Sequence, residues 1–199
     1  MRTFLLNLTT RPDRLADATE ELRRAEIPFT LSQRDQDPRG GKIGAKHHVA
    51  DLPEAANGDD VWIMEDDVVL HRDFTEIYHA LQVPSDWELF YLGGALRIDR
   101  DGKAYAERVA PGIVRTFSTL QTHCVMIRGH VAAALPAILR ASDAHWDVDL
   151  LTTIQPNGRS YQCHPVLARQ RPSRSDIQAV DLQPFDFYVV DGENNVWPR

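Results

Sequence analysis

The chain has 199 residues, 43% of them hydrophobic, enough for one sizeable core and short for two comfortable domains. Its formal charge of -7 argues against a general nucleic-acid binder, which neutralises phosphates with surplus Lys and Arg. Met1 to Leu8 falls short of a signal h-region or a membrane span, and Cys124 and Cys163 form no C-x-x-C pair, so the expectation is a cytoplasmic protein with two reduced thiols.

Thr3 to Leu8 is an apolar run that suits a buried first strand. A helix should follow: Pro12 fits its first turn, Asp13 complements its dipole, and Leu15, Ala18, Leu22 and Ala25 recur at three- and four-residue steps. Ile27 to Leu31 reads as a second strand, Ser32 to Gly41 as a loop and Ile43 to Leu52 as a short helix. Asn57-Gly58-Asp59-Asp60 turns into Val61-Trp62-Ile63-Met64, a buried strand closed by Glu65-Asp66-Asp67. Phe74, Ile77, Tyr78 and Leu81 predict a helix over 73–81, and Trp87 to Leu92 a strand stopped by Gly93-Gly94. The turn signal Asp99-Arg100-Asp101-Gly102 and scattered β-branched residues predict a hairpin or ordered loop within 95–117. His123 to Ile127 reads as a strand, Gly129 to Arg140 as a helix kinked or ended by Pro136, Asp147 to Ile154 as a short helix and Tyr161 to Ala168 as the last strand. Strands alternating with helices imply an α/β domain over 1–177, its mainly parallel sheet covered on both faces, with 178–199 as a tail packed on it.

The three carboxylates after Met64 are hard to leave bare. Two like charges about 4 Å apart repel by roughly 1 kcal/mol in bulk water and roughly 4 at an effective dielectric of 20. A cation is expected there. Strand alternation places Glu65 and Asp67 on one face and Asp66 on the other, so the first two present hard oxygen ligands to a divalent ion. The run stops where α/β sheets bind substrates, outside the carboxyl ends of the strands. The plain alternative is a solvated acidic turn.

Several segments together resemble glycosyltransferase family 25, the group of lipopolysaccharide galactosyl- and glucosyltransferases and collagen galactosyltransferases. Asn7-Leu8 followed by Arg11-Pro12-Asp13-Arg14 looks like its opening Asn-Leu and Arg-x-Asp-Arg. Ile43-Gly44-Ala45-Lys46-His47-His48 is similar to its Ile-Gly-Cys-x-x-Ser-His segment, and Met64-Glu65-Asp66-Asp67 to its Leu-Glu-Asp-Asp. Thr122-His123, Gly129, Asp147, Asp149, Pro165, Gln170 and Ser175-Asp176-Ile177 resemble its later landmarks in order, so the likeness runs from about residue 3 to about residue 177. Lys42, Ala45 and His47 depart from the family's usual Glu, Cys and Ser, and the loop before them is shorter.

The resemblance implies a Rossmann-like nucleotide-diphospho-sugar transferase fold of GT-A type. It also implies a reaction that moves galactose or glucose from a uridine diphosphate sugar, with Mn²⁺ or Mg²⁺, to a hydroxyl of a glycan, lipid core or other acceptor. On that view Asp67 is the principal metal ligand, Glu65 the second, and Asp66 touches ribose or sugar hydroxyls. His164 is placed suitably for a further ligand, with His123 and His145 as rivals. Asn7, Arg11, Arg14 and His48 are candidate donor contacts, although Arg14 also reads as an ordinary solvated residue of an amphipathic helix. Asp149, and after it Asp147, are candidates for the base that takes the acceptor's proton; the plain alternative is helix capping. Trp146 offers an apolar face for a sugar, and Arg159, Arg169, Arg171 and Arg174 form a basic region suited to an anionic acceptor, nucleic acid included. Two rival functions remain open: a Mg²⁺-dependent phosphohydrolase or nuclease, since acidic clusters at strand ends also build two-metal sites, and a binder without turnover.

Overall fold

The computed structural model describes residues 1–96, 105–174 and 181–182, and its chain opens with β1 (Arg2–Leu8) and α1 (Pro12–Arg24). β2 (Thr30–Arg34) starts three residues later than the apolar run at Ile27 suggests. Glu26 turns the chain at φ 56 and Pro28 has no N–H to give a ladder, so Ile27 and Phe29 pack on the core from irregular backbone. In place of one helix over 43–52 there are two, α2 (Gly41–Ala50) and α3 (Leu52–Ala56), the second restarted by Pro53 in its first turn. β3 (Val61–Glu65) and β4 (Val68–Leu70) flank a two-residue turn at Asp66-Asp67, and α4 (Phe74–Ala80) follows. β5 (Leu89–Leu96) runs through Gly93-Gly94 instead of stopping there. β6 (Ala106–Ala110) and β7 (Ile113–Thr116) form the expected hairpin; the turn signal at 99–102 lies outside the described residues. β8 (Thr119–Ile127), α5 (Gly129–Arg140) and α6 (Trp146–Thr153) come next, with Pro136 inside α5 without ending it. The expected last strand is two, β9 (Ser160–Cys163) and β10 (Ala168–Gln170), with the cis His164–Pro165 peptide between them. Ser173–Arg174 then pairs antiparallel with Asp181–Leu182.

Eight strands form the central sheet in the order β2-β1-β3-β8-β5-β9-β7-β6. Parallel pairing of β1 with β2 and β3, and of β5 with β9, leaves β8 and β7 as the strands that run against the other six. Six of the eight strands thus share one direction, as the alternation of elements predicts, with β8 and β7 inserted antiparallel among them. Both faces are covered, and strand alternation sorts the core into two. Phe4, Val61, Ile63, Tyr91 and Val125 meet α2, α3, α5 and α6 on one side; Leu5, Trp62, Met64, Phe90 and Cys124 meet α1 and α4 on the other. Cys124 and Cys163 are both buried and free. Among the described residues no helix is long and apolar enough to cross a membrane.

Gly93 shows why β5 contains a glycine pair. A Cβ there would lie 2.4 Å from the Ala168 carbonyl oxygen and 2.4 Å from His123 Nε2. The bare backbone lets β10 cross close over β5 and pair with β4, Gln170 opposite Val68, which delivers Gln170 to the acidic turn.

Candidate active site

β1 and β3 lie side by side and parallel, so Asn7 and Glu65 emerge at the same end of the sheet. There a cleft enclosing about 110 Å³ opens, walled by Asn7, Arg14, the acidic triplet and the loop after β2, and by Gly44 and His48 of α2. The strand ends at Glu65, and Asp66 and Asp67 occupy the turn, so strict alternation does not extend to them. Arg14 reaches both, its Nη1 3.2 Å from Asp66 Oδ1 and 3.6 Å from Asp67 Oδ2. Asn7 Nδ2 donates to Asp66 Oδ2 at 2.7 Å and to the Arg11 carbonyl at 3.0 Å, and Gln33 Nε2 fixes that amide by donating to Asn7 Oδ1 at 2.8 Å. Thr122 Oγ1 donates to Glu65 Oε1 at 3.2 Å, and Gln170 Nε2 to Asp67 Oδ2 at 2.8 Å. Asp67 Oδ1 is buried and has no hydrogen-bond partner among the described residues.

One guanidinium does not balance three carboxylates here. Burial first, and then the charge of Asp67, pushes the Glu65 carboxyl up to about 8. Burial and the charge of Asp67 raise Asp66 although Asn7 and Arg14 pull it down, and burial raises Asp67 against the pull of Arg14 and Gln170. A further positive charge at the orphaned Asp67 Oδ1 would relieve this stress, so Asp67 and Glu65 fit a hard divalent cation. Among the described residues no three His, Cys, Asp or Glu side chains are grouped to hold an ion. The other coordination positions would therefore fall to water or to oxygens of a bound ligand.

The remaining candidates separate. Arg14 corrects the reading of a solvated helix residue: it is 8% exposed and ion-paired. Its position was legible, since Arg14, Ala18 and Leu22 share the buried face of α1 at four-residue steps. Arg11 stands at the N-cap of α1, pairs with Asp13 at 3.1 Å, and does not line the cleft. His48 does line it, with Nε2 2.9 Å from Ser32 Oγ; burial, helped by the charge of Arg34, holds it down to about 4, so it is neutral. Trp146 presents a buried ring to the cleft.

Asp149 is 3% exposed and lies outside the cleft lining, its carboxylate 2.8 Å from Lys46 Nζ and hydrogen-bonded by Ser142 Oγ. Asp147 is half-buried and also lies outside the cleft lining, although its charge contributes to raising Glu65. Its Oδ1 accepts the Val148 N–H at 2.8 Å and its Oδ2 the Gln121 N–H at 3.2 Å, where Gln121 holds φ 64. His164 is buried where β9 ends, its N–H donating to the Gly112 carbonyl, and it does not line the cleft. His123 is buried beside the Ala168 carbonyl and burial holds it down to about 4, while His145 is the N-cap of α6. Two members of the basic run are held by separate carboxylates: Arg159 pairs with Glu88 at 3.2 Å and Arg171 with Asp17 at 3.5 Å. Sequence reasoning assigned no role to Gln170, Gln33 or Lys46; for Gln170 the signal was its place among the family landmarks.

Neither a family model nor a curated protein sequence matches the chain. Among solved structures, it is similar to a glycosyltransferase involved in the glycosylation of the major capsid of PBCV-1, at 9% identity and a TM-score of 0.51 over 83% of this chain and 82% of that one. It is also similar to the apo-form glycosyltransferase GlyE of Streptococcus pneumoniae TIGR4, at 12% identity and a TM-score of 0.50 over 82% of this chain and 45% of that one, so it spans under half of the GlyE chain. At these identities the likeness shows the fold, which is the expected GT-A type.

Proposed function

We propose that the protein is a glycosyltransferase of the family 25 kind, which moves a hexose, galactose or glucose, from a uridine diphosphate sugar to an acceptor hydroxyl. Residues 1–177 serve as its catalytic domain and 178–199 as its tail. The observation that carries this reading is the strand end Glu65 with the buried Asp66-Asp67 turn after it, lining a cleft at the carboxyl ends of β1 and β3 with Asp67 Oδ1 unfilled. A Mn²⁺ or Mg²⁺ ion on Asp67 and Glu65 would offset the charge that gathers on the leaving diphosphate.

The chain's own residues then have distinct tasks. Asp66, held by Asn7 and Arg14, is a fixed acceptor for a ribose or sugar hydroxyl. Neutral His48 and Trp146, which line the cleft, border the donor without adding charge. Asp147, whose charge reaches Glu65, takes the acceptor's proton as its oxygen attacks the anomeric carbon; its two oxygens accept only backbone N–H groups, whereas the Asp149 carboxylate is tied to the Lys46 ammonium and to Ser142. A thermal-shift series with UDP-glucose and UDP-galactose, with and without Mn²⁺, tests this reading. Stabilisation that needs both sugar nucleotide and ion supports it; no shift with any nucleotide sugar, together with cleavage of a generic phosphoester, sinks it.

A further inference from the structure

Behind α2 lies a second cavity of about 480 Å³, within the ~300–1,000 Å³ usual for small-ligand sites. α2 is the partition. Gly44, Ala45 and His48 face the cleft, while Lys42, Ile43, Lys46, His47 and Ala50, three and four residues apart, face the cavity. The opposite wall is the end of α5 and the residues after it, Leu139, Arg140, Ser142 and Asp143. The cavity therefore has an apolar lining from Ile43, Ala50 and Leu139 and a rim rich in cations.

Of the four Lys and Arg side chains in the lining, two are spoken for and two are not. Arg39 forks onto Asp37 at 3.0 and 2.9 Å, and His47 Nδ1 lies 3.3 Å from the same carboxylate. Lys46 is paired with Asp149. Lys42 and Arg140 have no ion-pair partner among the described residues, and Asp143 is the carboxylate that lines the cavity beside them. Lys42 also sits in the first turn of α2, which holds no acidic residue and gets no side-chain cap from Gly40. A cation there opposes the helix dipole, a local cost that a bound anion removes. In a chain of net charge -7, two unpaired cations across a roomy cavity mark a place built for negative charge.

We propose that this cavity is a phosphate-binding site, gripped by Lys42 and Arg140, for a phosphomonoester or for free phosphate, separate from the donor cleft. The proposal does not depend on the glycosyl-transfer reading. The full chain is titrated with inorganic phosphate, with sodium chloride at matched ionic strength as reference, and its melting temperature is followed. Saturable stabilisation by phosphate beyond chloride is expected, with the half-saturating concentration raised about tenfold or more in Lys42→Ala/Arg140→Ala. Lys42→Glu alone should act in the same direction, and covers the case where the double variant does not fold. Phosphate no better than chloride, or a double variant that keeps its response, overturns the proposal. Asp67→Ala should leave the response intact; its loss there would put the phosphate in the donor cleft and overturn the separate site. Repeating the titration with glucose 6-phosphate distinguishes the sources: tighter saturation than inorganic phosphate assigns a phosphorylated ligand, and equal values assign the free ion.

Discussion

At the residue scale, the two oxygens of Asp67 have different surroundings. Gln170 holds Oδ2, whereas Oδ1 is buried without a partner, and burial raises the carboxyl. A group whose charged form is disfavoured by the fold is retained at the expense of stability, which is the usual mark of a functional charge. Asp67→Asn keeps an oxygen for Gln170 and removes the charge. The expected outcome is an unliganded protein as stable as wild type or more so, with Mn²⁺-dependent binding of a uridine diphosphate sugar lost by calorimetry. Asp147→Asn tests the base: donor binding should persist while transfer falls by roughly 10²- to 10⁴-fold in a steady-state assay. Transfer at the wild-type rate in that variant removes Asp147 from the chemistry.

At the element scale, the Lys46–Asp149 pair is a bolt between α2 and α6, both ends nearly out of solvent. Removing one partner leaves the other charge buried with only Ser142 to hold it and no opposite charge, which costs up to about 3–5 kcal/mol, whereas replacing both by apolar residues is often close to neutral. Asp149→Leu should therefore destabilise strongly in urea unfolding, and Lys46→Met/Asp149→Leu should recover most of the loss. A double variant as unstable as the sum of its single changes would show that the bolt does more than balance charge. Gly93 sets the other close junction. Gly93→Ala drives a Cβ into the Ala168 carbonyl and His123, so it should cost on the order of 1–3 kcal/mol and weaken donor binding by displacing β10 and Gln170.

These junctions also explain what the sequence made legible. The two-sided burial of Val61 to Met64 and the acidic run after it stand in the local pattern, because a central strand is apolar on both faces and its end is not. Gly93-Gly94 misleads, since a glycine that ends a strand and one that admits a crossing strand look alike until the partner is known. Arg14 was readable from its place on the Ala18 and Leu22 face but conflicts with the expectation that Arg is solvated, and only the distant Asp66 resolves the conflict. Lys46 lies 96 residues before Ser142, so no spacing rule joins it to Ser142 and Asp149.

At the scale of the whole molecule, the sheet's two cores bury two histidines as neutral rings, His48 beside the cleft and His123 under β10, and both are held down to about 4 chiefly by burial. In the unfolded chain each titrates near 6.5, so between about pH 6.5 and 4 the unfolded state binds more protons than the folded one. Their contribution to stability is complete above about 6.5 and is lost as the pH falls toward 4, at up to ~1.4 kcal/mol per pH unit for each ring. The raised carboxyls of the acidic turn act in the opposite sense, so the pH profile of the wild type alone does not isolate the rings. Those carboxyls stay in place in His48→Gln and cancel when the two proteins are compared. Wild type should be the more stable at pH 6.5, where the neutral ring keeps its contact with Ser32, and its advantage should shrink by up to about 2 kcal/mol by pH 5 in urea unfolding. A difference between the two proteins that stays constant over that interval would mean that His48 is already protonated in the folded state, and that the cleft is wetter than its burial implies.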